Sequence, residues 1–583
     1  GGRIFAIMDN GPSSEFHDRE KPNWSLVARD AFNGVLLWER GLEKWGWQAW
    51  GKTFKSRFAQ PVQLPKRLVA LQDRIYTTLS FHAPVSKLDA ATGEVLRTFE
   101  STQCADELVL HGGVLLATVY DPERDPSKKG VCAVNPESGE LLWTQGPYDA
   151  LPARYDAVEG EDPVYLTAHE DRVVFVSRGF VRCLELETGE ERWRVPRPDY
   201  PTHKMNLGVR MSENCSLVNQ GNVVLFTQPG GQLRHTAHTV PCDLYAFDAD
   251  TGERLWERKI GIWAWGHQAD AFAIGDLVWV HEHIPTEMRG PDPAHLESLK
   301  HELLALDVQT GNVQESIPTN DIFQIRHHHR CYRNKATTNY ILTARRGTEF
   351  TNLDSGEIRL HPWTRGECRL GIMPANGLLY TPPHPCQCYA GVLLDGFNAL
   401  AGGRTGNNGS AGPRLQRGPA YGEDVTGVSG EEKDWPTYRG NGRRSGYTPA
   451  KLGDALSPGW KCSLRPPLSG VTVARGRLFV AEKEHRAVVA LDTDTGEMLW
   501  QYTAGGPVDS PPTVSDGRAV FGCADGWVYC LNAREGELVW RFRVAPRDAR
   551  MMADGTLESV WPVHGSVVVH AGEVIAATGR WPM

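Results

Sequence analysis

The sequence contains no apolar run approaching the roughly 18 residues that a membrane-crossing helix requires, so no transmembrane segment is expected. It has no excess of positive charge: 62 Lys and Arg stand against 71 Asp and Glu, a formal net charge of −9. A nucleic-acid binder would show a basic stripe or face, so nucleic acid is excluded as a partner. There is no adjacent cysteine pair, no Cys-x-x-Cys-His haem-attachment motif and no zinc-finger spacing; two cysteines come closest at Cys386-x-Cys388. The first residues, Gly1-Gly2-Arg3, carry no charged-then-apolar leader. Any export signal is therefore expected to have been removed or to lie upstream.

What is abundant is turn formers and large aromatics, with 60 Gly, 38 Pro and 19 Trp among 583 residues. Many turns with many large rings favour short strands over long helices. With 40% hydrophobic and 23% charged residues the chain reads as globular. Length alone suggests several domains, but a repeat overrides that prior.

The repeat is an apolar strand, Asp or Asn, two or three residues, Thr/Ser/Glu-Gly-Glu, two apolar residues and Trp. Its clearest copies are Leu491-Asp492-Thr493-Asp494-Thr495-Gly496-Glu497-Met498-Leu499-Trp500 and Phe247-Asp248-Ala249-Asp250-Thr251-Gly252-Glu253-Arg254-Leu255-Trp256. Others end at Trp38, Trp143, Trp193 and Trp540, and degenerate copies put Arg97, Glu315 and Leu360 in the Trp slot. Spacing is mostly 40 to 63 residues, with one gap of 140 between Leu360 and Trp500. The chemistry is that of a hairpin: Asp and Thr close the turn through side-chain bonds to the backbone, and Gly takes the positive-φ position. A Trp recurring once per unit can pack between adjacent sheets and give each unit the same interlock. A period of this size, several strands to the unit, fits a β-propeller blade.

The phrase resembles the repeat of the pyrroloquinoline-quinone-like propellers, a superfamily that includes quinoprotein alcohol dehydrogenases and an outer-membrane assembly scaffold. The resemblance covers nearly the whole chain and implies an all-β, eight-bladed β-propeller of four-stranded antiparallel blades. The segments His327–Tyr332, Met373–Tyr380, Pro382–Cys388 and Trp561–Ser566 also look like a subgroup of bacterial propeller proteins of planctomycete type, which brings no activity with it. Residues 401–434 are Gly-rich and polar and read as a surface insertion or linker. After it, Trp435-Pro436-Thr437-Tyr438-Arg439-Gly440-Asn441 resembles the opening segment of many such propellers. Two segments, 1–400 and 435–583, are therefore expected to close one ring.

The resembling dehydrogenases need an adjacent Cys pair, a Trp floor and a calcium or lanthanide held by carboxylate and Asn. The missing Cys pair argues against pyrroloquinoline quinone as cofactor. A second candidate is the concentration of His327, His328, His329, Cys331, Cys368, His384, Cys386 and Cys388. Imidazole and thiolate are common ligands of Zn, Cu or Fe, and in a strand His327 and His329 share a face. The expected metal set is His327, His329, Cys331, His384, Cys386 and Cys388, for a transition metal (Cu, Zn, Mn or Fe) or Ca; the plainer reading is a disulfide among the cysteines with hydrogen-bonded histidines.

The third candidate is catalytic. Arg330, Tyr332, Arg333 and Lys335 adjoin the triple His, and Arg345, Arg346, Arg365 and Arg369 follow. Such groups at a propeller hub suit an anionic substrate such as a uronic acid. Arg330 and Arg333 would bind the anion, His328 or His329 would serve as base, and Tyr332 as acid; the plainer reading pairs these arginines with blade-edge carboxylates. His564, before a strand, is a lesser hub candidate, and Cys523 and Cys530 could face each other across a hairpin. By resemblance the home is periplasmic or extracellular. The leading function is a hub that binds or processes an acidic carbohydrate. The alternatives are a non-catalytic scaffold with a protein partner and a quinone-dependent dehydrogenase.

Overall fold

The computed structural model describes residues 2–9, 23–46, 49, 64–151, 163–198, 215–229, 239–263, 270–282, 299–323, 332–345, 347–361, 364, 366, 371–382, 397–402, 412–423, 433–451, 453, 455–553 and 556–579. Up to Gly402 these form one compact unit; from Gly412 onward they form a second. Both are nearly all β, and among the described residues the one α-helix is Asn320–Phe323. No helix among them is long and apolar enough to cross a membrane.

In the first unit each sheet is an antiparallel meander of strands consecutive in the chain, spanning 3–41, 68–99, 105–149, 165–196, 217–318, 335–361 and 373–401. The 217–318 sheet is two four-stranded modules, 217–263 and 272–318, joined where Ile260 and Gly261 pair with Glu282 and His281. The first and last sheets have three described strands, the other modules four. The second unit holds a four-stranded sheet at 468–503 and a meander at 513–543, outside which Leu415–Arg417 pairs with Leu538–Arg543. Hairpins at 550–559 and 568–575 follow.

The turn that ends each repeat is built as its residues dictate. Asp492 Oδ1 accepts the backbone N–H groups of Asp494 and Thr495, both at 2.9 Å, and Gly496 sits at φ +74°. Asp248 does the same for Asp250 and Thr251.

The Trp then locks each module to the next. Trp193 donates its indole N–H to the carbonyl of Ala249 at 2.8 Å, the residue after the next turn's Asp. Trp38, Trp143 and Trp256 bond the same position at Ala90, Leu186 and Val308, and in the second unit Trp460 and Trp500 bond Thr493 and Ala533. The ring lies on the turn glycine so closely that a Cβ on Gly252 would stand 2.6 Å from Trp193. Where the repeat lacks Trp, Arg97 covers Gly139 and Ile317 lies beside Gly356. At the other end of the first unit, Tyr380 Oη donates to the carbonyl of Ala31 at 2.7 Å. Ala31 follows Asp30, so this is the acceptor position of the first sheet's own turn.

The core lies between neighbouring modules. Val114, Leu116, Val131 and Trp143 pack on Val164, Leu166, Val173 and Phe175, and Trp279, Leu303 and Ile317 on Ile341 and Leu353. Burying one such side chain is worth roughly 1.5–3 kcal/mol. The eight described cysteines are thiols and all but Cys462 are buried. The hairpin pairing expected of Cys523 and Cys530 does not form: Cys530 stands opposite Val520, and Cys523 Sγ donates to the Gly506 carbonyl at 3.2 Å.

Trp193→Ala is expected to destabilise the protein by about 3–5 kcal/mol. Gly252→Ala alone adds a Cβ at positive φ, costing about 1–2 kcal/mol, and displaces the indole. In a double-mutant cycle followed by denaturant unfolding, the two are expected to couple by about 1–3 kcal/mol; simple additivity would show that the ring on the glycine is not what joins the modules.

Candidate functional site

The first strands of successive modules are mutual neighbours, Ala105–His111 lying against Leu68–Leu71 and Tyr165–His169, and Leu217–Gln220 against Tyr165–His169 and Phe272–Ile274. They form the inner edge of the unit. The residues just ahead of these strands, or opening them, are Lys66, Arg67, Asp106, Glu107, Tyr165, Cys215, Ser216, Asp270, Arg333, Asn334 and Lys335. Each blade thus delivers its leading residues to one mouth, and many of them are charged.

Arg333 is the centre of the cluster. One guanidinium nitrogen donates to Asp270 Oδ1 at 3.0 Å and to Ser216 Oγ at 2.8 Å, the other to the carbonyl of Cys215. Asp270 also accepts the Asn334 backbone N–H at 3.0 Å, which fixes the chain entering its strand. Lys66 bonds Glu107 at 2.8 Å and holds its ammonium 4.5 Å above the Tyr165 ring. Burial pushes the Glu107 carboxyl above the ordinary carboxylate range, with Lys66 opposing.

Lys335, which opens the strand Lys335–Ala336, lies close enough to Arg333 and Asp270 to feel both charges. Among the described residues its half-buried ammonium has no hydrogen-bond or ion-pair partner. Burial lowers its pKa and Arg333 lowers it further, while Asp270 opposes both.

Below this mouth lies a drier layer. Lys129 and Asp106 form an ion pair at full burial. Arg67, 1% exposed, donates to the Phe81 carbonyl at 2.6 Å and stacks 4.5 Å over the Phe81 ring. Burial drives its guanidinium below the usual arginine range, and Asp106 counters. A buried pair of this kind contributes little net stability but makes removal of either partner costly.

Of the catalytic residues expected from sequence, the structure describes two. Arg333 is at the mouth. Tyr332 is fully buried among Leu342, Ala344, Ile372 and Leu379, its hydroxyl accepting the Gly366 N–H at 3.2 Å. His327, His328, His329, Arg330, Cys331, His384, Cys386 and Cys388 lie outside the described residues. Among the described residues no group of three His, Cys, Asp or Glu side chains is placed to hold a metal ion. Lys66, Arg67, Asp106, Glu107, Lys129 and Asp270 were missed. The signal that could have found most of them is a charged residue at the start of the first strand in several repeats.

A sequence-family model described as outer membrane protein assembly factor BamB matches residues 23–316 and 455–580. The chain is 28% identical over 227 residues to the quinoprotein ethanol dehydrogenase of Pseudomonas aeruginosa, covering 34% of each chain. It is 27% identical over 141 residues to BamB of Burkholderia pseudomallei, covering 21% of this chain and 37% of that one. It thus spans about a third of the length of these curated relatives. Among solved structures, the quinohemoprotein alcohol dehydrogenase of Comamonas testosteroni aligns over 77% of this chain and 69% of that one at 14% identity, with a TM-score of 0.31. BamB of Moraxella catarrhalis aligns over 82% and 96% at 12% identity, with a TM-score of 0.28.

Asp270→Ala strands the Arg333 charge and the Asn334 N–H together. Equilibrium unfolding is expected to show a loss of about 1.5–3 kcal/mol, the worth of hydrogen bonds to a charged group, with Asp270→Asn losing less. An unchanged midpoint for Asp270→Ala would show that Arg333 is held by other groups.

Proposed function

Starting from the chain's membership of the family described as outer membrane protein assembly factor BamB, within the pyrroloquinoline-quinone-like propeller superfamily, we propose an extracytoplasmic propeller whose inner mouth binds an anionic ligand, the carboxylate of an acidic carbohydrate. One observation carries this reading: the half-buried Lys335 ammonium, unpartnered among the described residues, beside the braced Arg333 guanidinium. Lys66 stands on the adjoining Tyr165 ring and completes the positive face. A guanidinium already oriented by Asp270 and Ser216 can meet a carboxylate without losing further side-chain freedom.

In this reading Arg330 extends the anion site and His328 or His329 supplies a base for α-proton abstraction. His327, His329, Cys331, His384, Cys386 and Cys388 are the donors proposed for a metal, and Tyr332 serves as a core brace. The blade count belongs to the proposal as well: where the sequence suggests that 1–400 and 435–583 close one ring, we place eight modules in residues 1–402, with Tyr380 bonding Ala31 at their ends. A crystal structure is expected to place the 373–401 sheet directly beside the 3–41 sheet; another sheet between them would overturn that count.

Binding is tested by calorimetry with oligogalacturonate. We expect affinity that falls with added salt and a loss of at least about tenfold in Lys335→Gln, the worth of one charge-assisted bond. Because Lys335 titrates below an ordinary lysine, its charge is present at low pH and is lost as pH rises through the lowered value. Binding should therefore weaken on the alkaline side sooner than a surface lysine would allow. Equal binding of a neutral oligosaccharide, or an unaffected Lys335→Gln variant, would overturn the reading.

A second reading, a scaffold with a protein partner, is favoured by the family description and by one repeated surface feature. Apolar pairs after the turn Gly stay exposed on the outer strands, as at Leu36 and Leu37, Val95 and Leu96, Leu141 and Leu142, and Met498 and Leu499. A quinone-dependent dehydrogenase, the remaining alternative, would show visible absorption in the purified chain.

A further inference from the structure

The second unit carries a run of positive charge in an acidic chain. From Trp435 to Pro467 six cations, Arg439, Arg443, Arg444, Lys451, Lys461 and Arg465, stand against one acid, Asp454, where the whole chain has a net charge of −9. The first three lie on one small loop. Gly446 N–H closes it by donating to the Arg439 carbonyl at 2.9 Å, and Arg439 Nε donates to the Arg444 carbonyl at 3.0 Å. The Arg444 guanidinium lies 5.4 Å from the centre of the Tyr438 ring. Among the described residues none of these three arginines has an ion-pair partner.

The loop is fixed to the sheets beneath it. Trp435 and Val473 exchange backbone hydrogen bonds at 2.9 Å, Val514 N–H donates to the Pro436 carbonyl at 2.8 Å, and Arg444 reaches the Ser566 carbonyl at 3.4 Å. Arg439 and Arg444 are held at φ +61° and +55°, the left-handed region that an arginine seldom enters. Both stay exposed, as does Arg443. The same stretch holds the two most exposed large apolar side chains among the described residues, Leu456 at 79% and Tyr447 at 70%.

We propose that the stretch from Tyr438 to Leu456 is a docking face for an anionic lipid surface. Charge complementarity selects the sign, since guanidinium groups meet phosphate oxygens two at a time. Tyr447 and Leu456 select lipid over a soluble polyanion: the boundary between headgroups and acyl chains takes a ring or an apolar side chain out of water, and a hydrated polymer does not. Because the loop is already anchored, its backbone has little freedom left to lose on docking. The face lies wholly in the second unit and uses no group of the anion mouth, so it stands apart from that reading.

The test is co-sedimentation of the purified full chain with vesicles of phosphatidylglycerol and phosphatidylcholine in equal parts, against vesicles of phosphatidylcholine alone. Binding to the anionic vesicles only is expected, and it should fall with added salt. Arg443→Gln and Arg444→Gln should each weaken it about fivefold, the contribution of one cation at an anionic surface. Tyr447→Ser and Leu456→Ser should weaken it with the salt dependence unchanged. Circular dichroism melts serve as the fold control, and Lys335→Gln should bind vesicles like the parent. Equal binding to neutral vesicles, no binding to anionic ones, or full binding by Arg443→Gln would overturn the proposal. So would full binding by both Tyr447→Ser and Leu456→Ser, because a face that reads charge alone suits any polyanion.

Discussion

An indole ring lying flat on a glycine is the contact on which the first unit depends. It requires three things together: a turn glycine at positive φ, no Cβ there, and a carbonyl one residue past the turn's Asp, Asn or Glu to accept the indole N–H. Trp193, Gly252 and Ala249 supply them at one junction, and Trp143, Gly189 and Leu186 at another. A sheet with only one apolar face could not stand by itself. With the interlock every module covers its neighbour, and burial becomes a property of the junction. Arg97 on Gly139 shows that the geometry tolerates another flat group, and Ile317 beside Gly356 that it tolerates a looser one.

The same repetition concentrates charge. If every module enters at its innermost strand, then whatever precedes those strands converges. Lys66, the Asp106–Glu107 pair, Asp270 and the Arg333–Lys335 pair come from separate stretches of the chain and are brought together for that reason. Low dielectric raises the stakes. Glu107 leans toward its neutral form and Lys335 toward losing its proton, while Arg333 keeps its charge through Asp270. Paired charges of this sort give orientation more than stability, which is what a recognition surface needs.

His564 illustrates how position within the repeat outranks local sequence. In Trp561-Pro562-Val563-His564-Gly565-Ser566 it carries no motif, and Asp509-Ser510-Pro511-Pro512 reads as an ordinary turn. His564 Nδ1 and Asp509 Oδ2 are hydrogen-bonded because both residues precede first strands. Cys523 and Cys530 show the converse. Their spacing suits a facing pair, yet the register sets Cys530 opposite Val520 and brings Cys523 to Trp527 instead.

What the sequence determined by itself was everything local and repeated: the Asp-Thr-Gly turn, the alternating strands around it, the Trp once per unit, and hence an all-β chain of stacked antiparallel modules. Those features are legible because turn chemistry acts over a few residues and periodicity multiplies the signal. Arg333 could be singled out by its neighbours, but not Asp270, 63 residues earlier, or Ser216, 117 residues earlier, which hold it. Tyr332, read as a proton donor, is a core residue packed among Leu342, Ala344, Ile372 and Leu379, while its neighbour Arg333 faces the mouth. Only the tertiary structure decided which residues share a site, since that depends on how many modules separate two first strands and on the side each leading residue faces, and no local pattern encodes either.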